Sequence, residues 1–188
     1  MPADRHHLAL YAGSFDPITL GHLDVLHRAR GIFDRLVLGI GDNPEKPALF
    51  SSEERIEMAT GLVEEMVTKN PDGCPVQVKH YSRLTVDFAR EVGAVAILRG
   101  IRNISDLAAE TQLAITNRQV AGIETIFVVT GENFAYTSSS LIKQVAALGG
   151  SLDGLAGIVP PVVIEQLKAK RDDPSNPLGQ LAKDQLVD

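Results

Sequence analysis

Five short, apolar and β-branched runs recur along this chain of 188 residues, and segments with helical spacing or high charge separate them. The runs span residues 8–12, 36–40, 76–80, 95–98 and 125–129. The intervening helices are predicted at residues 22–30, 52–69, 85–92, 105–119 and 138–147. Strands that alternate with helices in this way are typical of a parallel sheet covered by helices on both faces. The sequence therefore predicts an α/β fold, a single doubly wound domain with a five-stranded parallel sheet.

The domain is predicted to occupy residues 8–170. Ser51, which precedes two acidic residues, marks the start of the second helix, and Pro160-Pro161 marks a last helix that ends at the domain boundary. Residues 1–7 are predicted as a short N-terminal extension. Residues 171–188 are polar and interrupted by proline, so we expect a disordered tail.

Composition argues against several classes of protein. The formal net charge of −6 disfavours a nucleic-acid-binding surface. The apolar runs are far shorter than the roughly 20 residues of a membrane span, and no signal-peptide segment follows Met1, so we expect a cytoplasmic protein without membrane contact. Cys74 is the only cysteine, which excludes an internal disulfide, and the five histidines lack zinc-binding spacing.

Polar and charged segments follow each predicted strand, at the edge of the sheet where ligands bind in open parallel α/β folds. These segments span residues 14–22, 42–46, 82–85, 99–102 and 131–140. We therefore expect one binding site to be built from all five strand ends.

The segment after the first strand reads Gly-Ser-Phe-Asp-Pro-Ile-Thr-Leu-Gly-His over residues 13–22. Because free N–H groups and the helix dipole meet at a strand-to-helix junction, such a segment is suited to binding phosphate. Gly21-His22 alone could be an ordinary helix cap, but the upstream residues favour a phosphate site that includes the imidazole. Asp16, which precedes Pro17, is equally consistent with a plain turn.

Three basic residues, Lys46, Arg99 and Arg102, follow or end apolar runs and are candidates for binding phosphate. The alternative is that both arginines are surface residues paired with acids such as Asp106 or Glu110, and that Lys46 is an exposed loop lysine.

A serine run at residues 138–140 follows the last strand and offers hydroxyls and free amides at a helix N-terminus. It could bind a second anion or merely cap the helix. We expect the aromatic side chains of Phe134 and Tyr136 to pack against the protein and not to stack on a nucleotide base. The chain has neither a P-loop nor a GxGxxG fingerprint, which disfavours ordinary kinases, GTPases and dinucleotide dehydrogenases.

Three motifs give the chain a resemblance to a known group. Tyr11-Ala12-Gly13-Ser14-Phe15-Asp16-Pro17-Ile18-Thr19-Leu20-Gly21-His22 resembles the (H/T)xGH motif region of the nucleotidyltransferase superfamily, with threonine in the first place. With Arg99-Gly100-Ile101-Arg102 and Thr137-Ser138-Ser139-Ser140-Leu141-Ile142-Lys143, it resembles bacterial phosphopantetheine adenylyltransferases over about residues 8–168. The resemblance implies a Rossmann-like nucleotidyltransferase fold.

The same resemblance implies an activity. The family converts ATP and 4′-phosphopantetheine, with Mg²⁺, to dephospho-coenzyme A and pyrophosphate, the penultimate step of coenzyme A biosynthesis. His22 would bind ATP and stabilise the transition state, with Lys46 and Arg99 as its catalytic partners. The acceptor would be bound by Ser14, Lys46, Thr85 and Arg99. ATP would be bound by Ser14, Phe15, His22, Gly100, Ile101, Arg102, Glu110, Phe134, Ala135, Tyr136, Thr137, Ser138, Ser139 and Ser140.

The resemblance also implies a homohexamer, with coenzyme A as a feedback ligand. The chain departs from the family pattern at Ala108 and Ala109, where members often carry acidic and tyrosine side chains, and at Phe134, where tryptophan is common.

The acceptor phosphate is already an anion, so adenylyl transfer needs positioning and charge stabilisation and no general base. We therefore expect His22 to donate a hydrogen bond to the α-phosphate without an acid–base role. Two alternatives remain. One is another nucleotidyltransferase of this fold, acting on nicotinate mononucleotide or, with CTP, on a polyol phosphate; the other is a non-catalytic sensor of nucleotide or coenzyme A.

Overall fold

The computed structural model describes residues 7–42, 48–173, 176 and 178. The strands are β1 (Leu8–Gly13), β2 (Arg35–Gly41), β3 (Val76–Tyr81), β4 (Ala96–Ile101) and β5 (Glu124–Val129). The α-helices are α1 (Leu20–Ala29), α2 (Ser52–Lys69), α3 (Thr85–Glu91), α4 (Ile104–Ala121), α5 (Ser139–Ala147) and α6 (Pro161–Asp172). The predicted alternation of five strands with helices is confirmed.

All strand pairs are parallel, in the order β3-β2-β1-β4-β5. Pairing of β1 with β2 continues to Gly13 and Ile40, whereas pairing of β1 with β4 ends at Tyr11 and Leu98. Strands β1 and β4 therefore separate at their carboxyl ends, at the point where the strand order reverses. Ligands of open α/β sheets bind in the crevice that forms at such a point.

The largest error in a sequence-based boundary is at the end of the fourth strand. Arg99, Gly100 and Ile101 were expected to follow the fourth strand, but they are its last three residues. The apolar run ends at Leu98, yet β4 continues to pair with β5 as far as Ile101. Backbone ladder bonds do not require apolar side chains, so hydropathy alone ended the strand too early.

The sheet has a hydrophobic core on each face. Side chains of β1 alternate between them: Ala9 and Tyr11 belong to the larger core, whereas Leu8 and Leu10 belong to the smaller one. Helices α1, α2, α5 and α6 contribute to the larger core, and α3 contributes to the smaller. A strand buried on both faces explains why β1 reads as a continuous apolar run.

Helix starts follow the predicted capping signals. The Ser51 hydroxyl accepts a hydrogen bond from Glu54 N–H, and the Glu54 carboxylate accepts one from Ser51 N–H at 2.7 Å, which forms a capping box at the start of α2. Ser138 caps α5 by accepting from Leu141 N–H at 3.1 Å.

The last helix runs two residues beyond the predicted domain boundary, to Asp172. Leu178, in the segment predicted as a tail, is 5% exposed and belongs to the larger core. None of the described helices combines the length and the apolar character that crossing a bilayer requires.

Candidate active site

A cavity of about 330 Å³ lies between the carboxyl ends of β1 and β4. We call it the central cavity. The predicted site residues that line it are Ser14, Phe15 and His22, then Arg99, Gly100, Arg102 and Glu110, and finally residues 137–140. Thr130, at the end of β5, also lines it.

A second cavity, of about 570 Å³, adjoins the ends of β2 and β3. We call it the β3-side cavity; Tyr81 and Thr85 line it, and it shares Ser14 and Arg99 with the central cavity. Among the described residues, the five strand ends thus line two adjoining cavities, and their service in one binding site stays a prediction. The two cavities meet at Ser14 and Arg99, which belong to the lining of both.

His22 is oriented by the first turn of its own helix. Thr19 N–H donates to His22 Nδ1 at 3.0 Å, and His22 N–H donates to Thr19 Oγ1 at 3.2 Å. Phe15 packs edge-on against the imidazole, with 5.0 Å between ring centroids. Because Nδ1 accepts the Thr19 N–H, the proton of the neutral ring lies on Nε2. The imidazole is thus fixed as a donor at the wall of the central cavity.

The electrostatic surroundings keep this imidazole neutral. Burial, with further contributions from the charges of Arg102 and Arg99, lowers the pKa of His22 from 6.5 to about 3. A proton on Nδ1 would also face the Thr19 N–H donor. At neutral pH the ring therefore donates through Nε2 and is unsuited to shuttling protons.

This shifted pKa predicts a pH dependence of stability. Between pH 6.5 and 3 the unfolded chain binds a proton at His22 and the folded chain does not, so stability falls as pH decreases. From pH 7 to pH 5 we expect His22 to account for about 2 kcal/mol of lost unfolding free energy. Urea denaturation at pH 7 and pH 5 measures this loss of unfolding free energy, and His22→Gln is the reference that lacks the titrating ring. Equal pH slopes for the two proteins would contradict the prediction.

Arg99 is held in place by an acid and a carbonyl. Its Nε donates to Glu110 Oε2 at 2.7 Å, its Nη2 donates to Glu110 Oε1, and its Nη1 donates to the Ala12 carbonyl. Burial favours the neutral guanidine, but the hydrogen bonds and charge of Glu110 outweigh it and raise the pKa of Arg99. The guanidinium is therefore charged and rigid at the junction of the two cavities.

Arg102 has a similar arrangement. It contacts both Asp106 oxygens, at 2.7 Å from Nε and 2.9 Å from Nη2, and also the Thr137 carbonyl. Burial works against ionisation of Asp106, yet hydrogen bonds from Arg102 lower the pKa of that carboxyl. The alternative pairing of the arginines with Asp106 and Glu110 is thus present, and the same arginines line the central cavity. An entering phosphate would meet guanidinium groups that are already oriented.

The N-terminus of α5 completes the wall. Ser138 uses its hydroxyl as the cap, and Ser139 Oγ donates to the Pro17 carbonyl at 2.8 Å. Leu141 N–H already donates to the Ser138 hydroxyl, whereas the amides of Ser139 and Ser140 have no partner within the helix and are available to an anion. The serine run thus both caps the helix and faces the cavity.

On the side of β3, the Ser14 carbonyl accepts from Arg55 Nη1 at 2.9 Å, which fixes the turn after β1. The Thr85 hydroxyl lies 3.0 Å from the Tyr81 hydroxyl at the start of α3. Ser14 and Thr85 both line the β3-side cavity, as their predicted binding of one acceptor requires.

Other predicted residues lie elsewhere. Ile101 is 6% exposed and Tyr136 is 92% exposed, and neither lines the central cavity. Phe134 packs on Gly21, where an added Cβ would lie 3.2 Å from the phenylalanine Cβ. Ala135 follows it outside the cavity lining. Lys46 lies outside the described residues.

Sequence reasoning missed part of the wall. Tyr11 and Thr19 line the central cavity, and burial is the largest influence on Tyr11, raising the pKa of its phenol. Both belong to the motif region quoted above, with Thr19 in the first place of (H/T)xGH, but neither was predicted as a site residue. Thr19 stands three residues before His22, a spacing typical of a capping box, and that signal could have assigned it to the site. Ala108 and Ala109, where the family pattern is broken, are exposed on α4 and line neither cavity.

The described residues offer no resident metal site. They contain no group of three or more histidine, cysteine, aspartate or glutamate side chains that could hold an ion. The carboxylates of the central cavity, Asp106 and Glu110, are both paired with arginine.

Close packing around Gly100 gives a testable prediction. A Cβ there would lie 2.9 Å from Val25 Cγ2 on α1 and 3.4 Å from the Tyr11 hydroxyl. We expect Gly100→Ala to lower the free energy of unfolding by about 1–3 kcal/mol, because the buried side chains must shift. Gly157→Ala is the control, since a Cβ at Gly157 meets nothing within 4 Å. Equal urea midpoints for the two variants would contradict this packing.

Residues 10–145 match the cytidylyltransferase-like family. The chain is 47% identical over 171 residues to the phosphopantetheine adenylyltransferase of Rhodopirellula baltica, covering 90% of this chain and 92% of that one. It is 47% identical over 165 residues to the enzyme of that name from Moorella thermoacetica, covering 87% and 96%. For the one from Synechocystis sp., the identity is 38% over 168 residues, covering 89% and 99%.

Solved structures share the fold at lower identity. Nicotinic acid mononucleotide adenylyltransferase of Plasmodium falciparum, complexed with NaAD, gives a TM-score of 0.64 at 14% identity, covering 89% of this chain and 97% of that one. The bifunctional NMN adenylyltransferase/ADP ribose pyrophosphatase of Francisella tularensis gives 0.65 at 16% identity, covering 97% and 54%. At these identities the likeness shows a common fold and nothing about the substrate.

Proposed function

Because the chain belongs to the cytidylyltransferase-like family and, within it, to the phosphopantetheine adenylyltransferases, we propose that it transfers the adenylyl group of ATP to 4′-phosphopantetheine. The products are dephospho-coenzyme A and pyrophosphate. One observation carries the proposal beyond the family name: two cavities meet at Ser14 and Arg99, and the neutral donor His22 lies in the wall of one of them.

The nucleotide occupies the central cavity in this proposal. The amides of residues 138–140 and the guanidinium of Arg102 bind its phosphates, and His22 Nε2–H donates to the α-phosphate. As the pentacoordinate phosphorus forms, charge accumulates on its equatorial oxygens, and a fixed neutral donor stabilises that charge without reorganising. Gly100 leaves room at the floor, since any side chain there would press on α1.

The acceptor occupies the β3-side cavity, with its phosphate at the junction. Arg99 and Ser14 bind that phosphate, and the start of α3 at Thr85 holds the pantetheine arm. By family resemblance Lys46 adds a further cation. The acceptor oxygen attacks the α-phosphorus in line, the bond to the β-phosphate breaks, and pyrophosphate leaves. Because the attacking phosphate is already ionised, no side chain has to remove a proton.

Mg²⁺ enters as the ATP complex in this proposal, because the described carboxylates of the cavity are occupied by arginine. Bound to ATP, the ion would neutralise charge on the triphosphate, while the protein supplies positioning and hydrogen-bond donors. The reaction belongs in the cytoplasm, where ATP and the acceptor are both available.

The decisive test is product formation. Mass spectrometry should detect dephospho-coenzyme A after incubation with Mg-ATP and 4′-phosphopantetheine, with stoichiometric pyrophosphate. Nicotinate mononucleotide as acceptor and CTP as donor, run in parallel, test the other nucleotidyltransferase activities. Saturable nucleotide binding without any pyrophosphate would favour a sensor and contradict the proposal.

We also propose that copies of the chain assemble as a homohexamer. Helix α4 buries only Asn117 against the rest of the described chain, and it exposes Ile104 (86%), Ile115 (50%) and Val120 (63%). On the neighbouring edge strand, Val129 is 65% exposed. An apolar helix beside an open sheet edge is suited to burial against another copy. Light scattering of the purified protein measures the mass, and a monomer would overturn this proposal.

Coenzyme A, which resembles the product, is the proposed feedback ligand.

A further inference from the structure

The carboxylate of Asp16 joins three parts of the chain beside the candidate active site. Asp16 is 3% exposed; its Oδ1 accepts Phe50 N–H at 2.9 Å and its Oδ2 accepts Leu49 N–H at 2.9 Å. The same Oδ2 lies 3.0 Å from Lys143 Nζ on α5. One buried carboxylate therefore holds the turn after β1 against α5 and against the segment that leads into α2.

Lys143 lies one helical turn after Ser139, and long side chains on a helix lean toward its N-terminus. The Ser139 hydroxyl donates to the Pro17 carbonyl, next in the chain to Asp16. Helix α5 is thus fixed to the turn at two points, both beside the serine run that lines the central cavity. Neither Asp16 nor Lys143 lines that cavity.

We propose that Asp16 and Lys143 are a positioning pair, whose contact holds the N-terminus of α5 against the turn that leads to His22, so that donors from both elements converge on one nucleotide phosphate. Both residues line a neighbouring cavity that shares Ser14, Ser139 and Ser140 with the central one, and in this proposal they act on the nucleotide through the serine run and the turn. The inference rests on the proposed function, which assigns the central cavity to the nucleotide.

Loss of the two partners should have different consequences. Without Lys143, Asp16 keeps both amide donors, so the turn stays joined to residues 49 and 50 while α5 loses one of its two attachments. Without the Asp16 carboxylate, all three contacts are weakened. A change at Lys143 should therefore affect the nucleotide alone, whereas a change at Asp16 should affect both substrates.

The test compares Lys143→Met, Lys143→Arg and a matched control, Lys168→Met. Lys168 also pairs with an aspartate, Asp153 at 2.7 Å, but its side chain on α6 is 43% exposed, against 27% for that of Lys143. We expect Lys143→Met to raise KM for ATP about tenfold through misplacement of α5, with KM for the acceptor within about twofold of wild type. Lys143→Arg should recover most of the loss, and Lys168→Met should match wild type. A KM for ATP unchanged in Lys143→Met, or raised together with the acceptor KM, would overturn the proposal.

A double-mutant cycle with Asp16→Asn tests whether the two residues act as a unit. Lys143→Met should add little to Asp16→Asn, because the contact is already lost, whereas a full further tenfold loss would overturn the pairing. Calorimetric binding of α,β-methylene ATP supplies a readout that needs no turnover. If wild type makes no dephospho-coenzyme A, yet Lys143→Met binds the analogue about tenfold more weakly than wild type does, the proposed function is refuted and the positioning pair is retained.

Discussion

Replacing His22 by alanine is expected to lower kcat by about 10²- to 10³-fold, the usual cost of one lost hydrogen-bond donor to a developing oxyanion. The imidazole is held by Thr19 N–H at Nδ1, and its low pKa keeps the ring neutral, so Nε2–H is the group that the variant removes. Because the donor acts mainly in the transition state, kcat should fall far more than KM for ATP rises.

Stability should change little in this variant. Thr19 still accepts from the amide of residue 22, so only the imidazole half of the capping box is lost, at a cost of about 1 kcal/mol or less. His27→Ala is the matched control, since His27 is an exposed histidine on the same helix. Rapid-quench measurement of pyrophosphate release gives the chemical step directly. Turnover of His22→Ala within a few-fold of wild type would refute the role assigned to this imidazole.

Replacing Arg99 by methionine is expected to reduce both stability and turnover. The variant leaves the Glu110 carboxylate without its two guanidinium hydrogen bonds. Breaking such a pair costs about 3 kcal/mol, the lower end of the usual range, because the two side chains keep 26% and 18% exposure. Loss of the cation at the junction of the cavities should lower kcat/KM for the acceptor by about 10²-fold or more.

A second substitution separates the two effects. In Arg99→Met, Glu110→Met the unpaired carboxylate is gone, so unfolding free energy should return close to that of wild type. Acceptor turnover should stay low, because the cation is still missing. Arg118→Met, Glu124→Met removes an exposed pair of the same kind and should change neither quantity. If the Arg99, Glu110 double variant regained acceptor kcat/KM, the arginine would serve packing alone.

Local patterns predicted the elements well. The α2 helix begins and ends as expected, since Ser51 and Glu54 form a capping box whose two contacts need only neighbouring residues. The end of β4 was wrong at Arg99 because pairing with β5, a partner distant in the chain, continues the strand where side chains turn polar. The residue pattern of a segment predicts structure that depends on that segment alone. The end of a strand also depends on its hydrogen-bonded partner strand, which is distant in the chain.

The candidate site divides in the same way. The residues from Gly13 to His22 predicted a phosphate-binding turn that includes a histidine, but nothing in them indicated which ring nitrogen carries the proton. That depends on the Thr19 N–H, and the neutrality of the ring depends on burial beside Arg102 and Arg99. The two arginines each pair with an acid of α4 and also line the cavity, while their binding of phosphate stays a prediction.

The alternation of strands and helices, the helix caps and the residue types available for binding phosphate can all be predicted from local sequence, since each follows from neighbours within about one helical turn or one strand. Which of those residues meet depends on the fold as a whole. The order β3-β2-β1-β4-β5 parts β1 from β4 and brings His22, Arg99, Arg102 and the start of α5 around one cavity. It also buries Asp16 against Lys143, 127 residues away in the chain. Such contacts depend on strand order and packing, which no local pattern encodes.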